Sequence, residues 1–254
     1  MLQDNTTAKR VAIVTGGGQG LGRAIAIQLG AAKFSVAVIG RTKSKLDETV
    51  SLIGSDAIAV TADLTDPSAT RNAFAAIDAE FGGIDVLVNN AANYFPFRID
   101  EASDDQISEV ISGTLIAPIY CIREAIPRMR RHAGCGDIVN ISSQSAQVPQ
   151  PFLTVYAAAK AGLETLSKGL RYELKGERFR IMTFQVGTLA ETSSDGIWPP
   201  ELLERAVRAF EKAGISAYYA VPGAPVKELA AIIVHALMAP REISAEFIEM
   251  RSTT

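Results

Sequence analysis

Two rhythms of apolar residues alternate along the chain. Lys9 to Thr15 (KRVAIVT), Phe34 to Ile39, Ala57 to Thr61, Ile84 to Val88, Asp137 to Ile141 and Arg180 to Gln185 are short, β-branched or aliphatic runs that read as buried strands. Between them the apolar positions recur three and four apart. Leu21, Ala24, Ile25, Gln28 and Leu29 open the first such stretch, and Ser44 to Ile53, Pro67 to Phe81, Asp104 to Arg131 and Thr154 to Lys175 follow as helices. Asp66 is placed to cap the helix that Pro67 begins. Glu201 to Lys212 and Val226 to Met238 read as two more helices, and Glu246 to Met250 as a last edge strand. Strands alternating with helices of about a dozen residues predict a parallel sheet of about seven strands covered on both faces. No repeat, low-complexity tract or linker interrupts residues 1–254, which predicts a single α/β domain.

The punctuation is as informative as the runs. The first strand stops at Gly16-Gly17-Gly18-Gln19-Gly20-Leu21-Gly22 and a helix follows at once. Glycines allow a tight turn and close approach to a pyrophosphate, and the helix N-terminus offers free N–H groups to the anion. The order strand, glycine turn, helix therefore predicts a doubly wound, Rossmann-type dinucleotide site. Ligands in such sheets lie beyond the carboxyl ends of the strands. Gly16, Gly18, Gln19, Gly20 and Leu21, then Asp63 and Leu64 after the third strand, and Asn90 and Ala91 after the fourth, all fall there. The second strand ends in Gly40-Arg41-Thr42-Lys43, with no acidic residue before Asp47. An acidic residue here would accept from a ribose, whereas arginine suits a 2′-phosphate. Arg41 and Lys43 are both basic and predict NADP(H) as the preferred cofactor, with NAD(H) possible and Thr42 between them a further cofactor contact.

Composition narrows the partners. The chain has 254 residues, 48% of them hydrophobic, with a net charge of −3 and a pI near 5.5. It has no overall basic field for nucleic acid or an anionic membrane. The basic run Arg123 to Arg131 suits a helix C-terminus. Cys121 and Cys135 lack disulfide-scaffold or metal-ligand spacing and read as buried small hydrophobes, and His132 and His235 stand alone. No apolar run reaches the roughly 18 residues of a membrane span, and Met1 to Arg10 is polar. The expectation is a cytoplasmic protein without a metal.

Two positions bear on chemistry. Tyr156 and Lys160 are four residues apart on a predicted helix, which puts both side chains on one face, roughly 6 Å apart along the axis. An adjacent ammonium favours the phenolate, so Tyr156 is expected to have a lowered pKa and to serve as an acid or base. Pro118 lies inside the long helical run, and proline leaves the carbonyl four residues back without its donor. That carbonyl belongs to Thr114, which is expected at a kink.

These motifs together resemble the short-chain dehydrogenase/reductase family. Thr15 to Gly22 is similar to its TGxxxGxG cofactor motif, Asn89-Asn90-Ala91-Ala92 to its NNAG motif with alanine in the last place, and Tyr156 to Lys160 to its YxxxK motif. Ser143 precedes the tyrosine by the family's 13 residues. The resemblance implies hydride transfer between NADP(H) and a small carbonyl or alcohol substrate. Tyr156 would then be the proton donor or acceptor, Ser143 the partner of the reacting oxygen, and Lys160 the residue that binds the nicotinamide ribose and lowers the tyrosine pKa. It implies Asp63 on the adenine side, backbone contacts from Gly187, Thr188 and Leu189 near the carboxamide, and a homo-oligomer, a tetramer or dimer. The chain departs from the pattern twice. Thr114 stands where the family has a proton-relay asparagine, and is expected to serve through its backbone carbonyl, unless the threonine is merely tolerated there. Val186-Gly187 replaces Pro-Gly, and Glu191 with Thr192 follows where a threonine is usual, so the loop Val186 to Pro200 is expected to be reshaped into a substrate lid reaching to about residue 215. Tyr94, Phe95, Phe97, Phe152, Ile197 and Trp198 are either an apolar substrate pocket or core and subunit contacts. The alternative to an enzyme is a non-catalytic NAD(P)-binding regulatory or scaffold protein of the same fold.

Overall fold

Alternate side chains of a strand face opposite sides of its sheet, and the first strand shows what that parity does here. Val11 and Ile13 pack into one buried cluster, and Ala12 and Val14 into another. The structure is a computed structural model describing residues 9–190, 198–216 and 222–253. Seven strands, β1 (Val11–Thr15), β2 (Ser35–Gly40), β3 (Ala57–Thr61), β4 (Val86–Asn89), β5 (Cys135–Ser143), β6 (Arg178–Val186) and β7 (Phe247–Met250), form one sheet in the order β3-β2-β1-β4-β5-β6-β7. Every pairing is parallel. Helices α1 (Gly20–Ala31), α2 (Lys43–Ile53) and α8 (Val226–Met238) supply Ile25, Leu46 and Ile233 to the cluster on one face. On the other face α3 (Pro67–Phe81), α5 (Ala117–Ala133) and α6 (Thr154–Glu173) supply Phe74, Cys121 and Leu170. Phe74 and Phe184, one in each cluster, are fully buried, and burial of a side chain of that size stabilises by about 1.5–3 kcal/mol. Both cysteines are buried and free, and burial pushes the Cys121 thiol up to about 12.

The strand order reverses between β1 and β4, which opens a crevice at the carboxyl ends of the central strands. The opposite end of the sheet is closed by charge. Asp137 of β5 is fully buried and accepts from Arg180 Nε at 2.8 Å and Nη2 at 2.7 Å, with Arg241 at 3.3 Å and Arg10 also in contact. Arg180 donates in addition to the carbonyls of Leu237 and Ala239, so the end of α8 is tied to the sheet through this cluster.

The long stretch Asp104 to Arg131 is not one kinked α-helix. It comprises α4 (Asp104–Ile111), capped by the reciprocal Ser103 and Gln106 pair, a π-helical turn over Ser112–Ile116, and α5. The cause is Pro118, which has no N–H for Thr114, while the Ala117 N–H reaches one residue further back, to the Ser112 carbonyl. The carbonyls of Gly113 and Thr114 both lose their ordinary helical donors. As expected, Arg130, Arg131 and His132 occupy the last turn of α5. Residues 104–133 are long and apolar enough to cross a membrane, with a mean hydropathy of 1.2 over an 18-residue window. Packing against the sheet accounts for that composition, since Cys121, Ala125 and Met129 lie in the core.

Candidate active site

The glycine turn after β1 is shaped by steric necessity. A Cβ on Gly22 would lie 2.3 Å from the Gly16 carbonyl oxygen and 2.4 Å from Asn90 Nδ2, so α1 can pack on the turn only with glycine there. Thr15 Oγ1 accepts from the N–H groups of Asn90 and Ala91, both at 3.0 Å, and Asn90 Nδ2 donates to the Thr15 carbonyl. The ends of β1 and β4 are thereby fastened together at the reversal point. Beside them lies a cleft of about 470 Å³ lined by Gly16, Gly18, Gln19, Gly20, Arg41, Thr42, Asp63, Leu64, Asn90 and Ala91. No side chain caps the N-terminus of α1, which leaves its first N–H groups for an anion. A dinucleotide therefore fits the residues present. The Leu21 side chain packs in the core, so what it presents at the start of α1 is its backbone N–H.

The basic residues also need redistribution. Lys43, the first residue of α2, pairs with Asp47 at 2.6 Å and does not line the cleft. Lys45 does, reaching Gln19 Oε1 at 2.5 Å across the glycine turn. Arg41 and Lys45 are both exposed on the cleft wall. The Asp63 carboxylate is held below its usual range by the Thr65 backbone N–H, then by the Thr65 hydroxyl and the Arg41 charge, against partial desolvation.

Tyr156, Ser143 and Lys160 converge where β5 meets α6. Ser143 ends β5 and is hydrogen-bonded to the Tyr156 hydroxyl. Lys160 is buried, and its Nζ donates to the Ile141 carbonyl at 2.7 Å and stands 5.8 Å from the Tyr156 ring centre. The expectation of a depressed tyrosine does not hold. Burial pushes the Tyr156 phenol up, Tyr94 adds to this, and only the Ser143 hydrogen bond opposes it. Lys160 instead is the perturbed base, brought down to about 8 by burial against the opposing charge of Glu164. The ammonium cannot depress the phenol strongly while it is turned to the Ile141 carbonyl.

Thr114 is fully buried in the π turn, and its side chain has a partner no local pattern foretold. Oγ1 donates to the Asn93 carbonyl at 3.0 Å and accepts from the Asn93 N–H at 3.2 Å. Asn93 lines the cleft, and its side chain donates to the Glu109 carbonyl at 3.1 Å. Thr114 thus pins the loop after β4 to the long helix, while its own carbonyl lacks the Pro118 donor. Thr114→Val is expected to remove the side-chain partner of two part-buried Asn93 backbone groups and to cost about 1–2 kcal/mol, measured as a fall in the urea midpoint. A variant as stable as the parent would remove this anchoring role.

The aromatic residues divide. Tyr94 meets the Tyr156 ring edge-on at 5.2 Å, and Trp198 Nε1 donates to the Tyr94 hydroxyl at 3.2 Å. Phe152 is buried under the Arg205 guanidinium, 5.4 Å away, and adopts φ +70°, a left-handed conformation that strains a bulky residue. Phe97 joins a small core cluster with Val110 and Val155, and Phe95 is exposed. Ile197, with the rest of residues 191–197, lies outside the described residues. Gly187, Thr188 and Leu189 follow the end of β6 and, like Ser143, Tyr156 and Lys160, lie outside the lining of that cleft. The Gly187 N–H donates to the Met250 carbonyl, the Thr188 carbonyl accepts from Ala224, and Leu189 forms an isolated bridge with Ala224. Gly223 permits that bridge, since a Cβ there would lie 2.3 Å from the Ala190 nitrogen. Helix α7 (Pro200–Ala213) lies between the two sides of the bridge in sequence and carries Arg205.

Sequence reasoning missed Lys45, Asn93, Gly223 and Glu164, and only Lys45, a basic residue close to Arg41, offered a local signal.

The short chain dehydrogenase profile matches residues 10–199. The D-beta-hydroxybutyrate dehydrogenase of Rhizobium meliloti (strain 1021) is 34% identical over 170 residues, 65% of this chain and 66%, just under two-thirds, of that protein. A variant actinorhodin polyketide ketoreductase with NADPH superposes with a TM-score of 0.80 at 24% identity, over 96% of each chain. The closed form of serine dehydrogenase complexed with NADP+ gives 0.80 at 23% identity, over 95% of this chain and 94% of that one. At that identity the two structures speak to the fold.

Proposed function

Because the chain belongs to the short chain dehydrogenase family, we propose that it transfers a hydride between NADP(H) and a carbonyl or alcohol substrate, with Tyr156 handling the proton. The observation that carries this is the convergence of Ser143, Tyr156 and Lys160 at the end of β5, next to a cleft built for a dinucleotide. The cofactor supplies the hydride chemistry, and the chain supplies position and proton. Gly16, Gly18, Gln19 and Gly20 would hold its pyrophosphate, Asp63, Leu64, Asn90 and Ala91 its adenosine and ribose side, and Gly187 to Leu189 its nicotinamide end. Ser143 donates to or accepts from the reacting oxygen, and Tyr156, kept protonated by burial, gives its proton to that oxygen in reduction. Lys160 holds the nicotinamide ribose and returns charge balance when the phenol ionises.

Tyr94 and Trp198 are the aromatic neighbours of Tyr156, and the cations Arg98 and Arg205, the latter over Phe152, are paired with Asp100 and Glu101. This favours a neutral, fairly apolar substrate over a carboxylate. The working unit is read as a homo-oligomer packed through α5 and α6, sedimenting well above the 27.0 kDa of one chain. NADPH oxidation against a panel of ketones and aldehydes tests the function. Turnover of apolar carbonyls is expected, whereas cofactor binding with no turnover of any of them would favour the regulatory or scaffold alternative.

The NADP(H) preference rests on Arg41 and Thr42 just beyond β2 and on Lys45 in the first turn of α2, all on the cleft wall. Charge-assisted contacts of this kind contribute about 1.5–3 kcal/mol each. Arg41→Asp should weaken NADPH binding by about 10- to 100-fold on that basis, read by fluorescence titration. Tighter binding of NADH than NADPH by the unaltered protein would refute the preference.

A further inference from the structure

Lys160 is a buried cation whose hydrogen-bond partner is a backbone carbonyl, and among the described residues no carboxylate lies within ion-pair distance of it. One turn further along α6, on the same face, is Glu164. Its Oε1 accepts from Ser142 Oγ at 2.6 Å and from Gln185 Nε2 at 2.9 Å. Ser142 and Gln185 are partners in the β5–β6 ladder. Both have the strand parity of Ile138 and Ile181, whose side chains lie in the cluster on the α6 side of the sheet. The two neighbouring strands thus aim one donor each at a single carboxylate oxygen, immediately behind the lysine. Nothing in the function proposed above uses Glu164, Ser142 or Gln185.

We propose that Glu164 is a positioning residue, clamped by Ser142 and Gln185, that sustains the positive charge of Lys160 through the protein interior without touching substrate or cofactor. The proposal rests on the reading of Lys160 as a cofactor ligand. It stands on the clamp geometry, and the electrostatics agree. Burial is the larger influence on Lys160 and takes it down, while Glu164 is the influence that holds it up. The remaining ionisable groups on elements packed against α6 are differently placed. Asp137, Arg178 and Arg180 occupy the opposite ends of β5 and β6, and Asp104, Asp105 and Glu109 are exposed on α4. The π turn and the short turn after Ser143 carry none. Tyr94 packs on Tyr156, Tyr156 itself is uncharged at neutral pH because burial raises it, and further along α6 Lys168 and Glu173 are exposed while Arg171 donates to the Ile181 carbonyl. Glu164 is therefore the one carboxylate placed to act on Lys160 among the described residues.

The test is the pH dependence of NADPH affinity, by fluorescence titration between about pH 6 and about pH 10, alongside that of kcat/KM for any reducible carbonyl. The unaltered protein should lose affinity on an alkaline limb centred near the Lys160 value of about 8. Glu164→Gln keeps the size and an acceptor oxygen but removes the charge, and should move that limb down by about one pH unit. Glu164→Asp should restore most of it. Ser142→Ala, which loosens the clamp, should move it the same way by less. Affinity at about pH 6 should be nearly unchanged in all three, an outcome a merely structural role would not give. An alkaline limb absent from the parent, or unmoved in a folded Glu164→Gln, overturns the proposal. If that variant does not fold, an unmoved limb in Ser142→Ala overturns it equally. A parent that shows the binding limb but turns over no carbonyl refutes the proposed function and leaves Glu164 to be judged on binding alone.

Discussion

Tyr156→Phe is expected to lower kcat by about 10²- to 10⁴-fold, the usual contribution of a positioned general acid, while changing NADPH affinity little. The substitution deletes one oxygen and keeps the ring that packs edge-on against Tyr94. Ser143 loses a hydrogen-bond partner but keeps its bonds to the Ser145 N–H and hydroxyl, both at 3.2 Å. Structure and binding should therefore survive, and the loss should fall on the chemical step. The pH profile sharpens the expectation. Since burial holds the phenol above its ordinary value, its proton is present throughout the neutral range. The alkaline fall in the parent's reduction rate should come first from Lys160, near about 8, and not from the tyrosine. A Tyr156→Phe variant with kcat within about threefold of the parent would remove Tyr156 from the proton-transfer role, because general acid–base catalysis rarely contributes so little.

The largest stability effect is expected at the other end of the sheet. Asp137→Ala removes the only carboxylate that Arg180 contacts there, among the described residues, and leaves its guanidinium, 4% exposed, without compensation. Breaking one side of a buried ion pair costs about 3–5 kcal/mol. The hydrogen bonds to Asp137 are also the first reason the Arg180 guanidinium binds its proton more tightly than usual. A double variant, Asp137→Ala with Arg180→Met, should recover part of the loss, since two apolar groups replace an orphaned charge. Urea unfolding of the three proteins decides it. A single-variant loss below about 1 kcal/mol would place Asp137 among surface-like ion pairs and overturn the assignment.

What could be read from the chain alone follows the range of the forces involved. β1 to β4 were legible because their apolar runs are short and end in glycine, asparagine or aspartate, signals that need no distant partner. β5 and β6 extend beyond their apolar runs, to Ser143 and Val186, because each supplies the other's backbone bonds over nine registered pairs. Pro118 marks a Thr114 carbonyl that lacks its ordinary helical donor, since that consequence is covalent. It could not indicate that the helix would respond with a π turn, or that the Thr114 hydroxyl would be taken up by Asn93, 21 residues earlier. The place of Arg41 just after β2 was legible from the sequence, whereas Lys43 turns toward Asp47 in the first turn of α2 and Lys45 lines the cleft in its stead. Spacing alone put Tyr156 beside Lys160. The sign of the tyrosine's perturbation is set first by burial, to which Tyr94, arriving from a different loop, adds.

The bridge between Leu189 and Ala224 has a consequence for how the molecule can vary. It brings two points 35 residues apart in the chain to one rung, with α7 on the chain between them. The entropy of closing such a stretch changes by only about 0.6 kcal/mol for each doubling of its length. Lengthening or replacing that stretch therefore costs the seven-stranded sheet little, while Trp198, which it carries, bonds Tyr94 beside Tyr156.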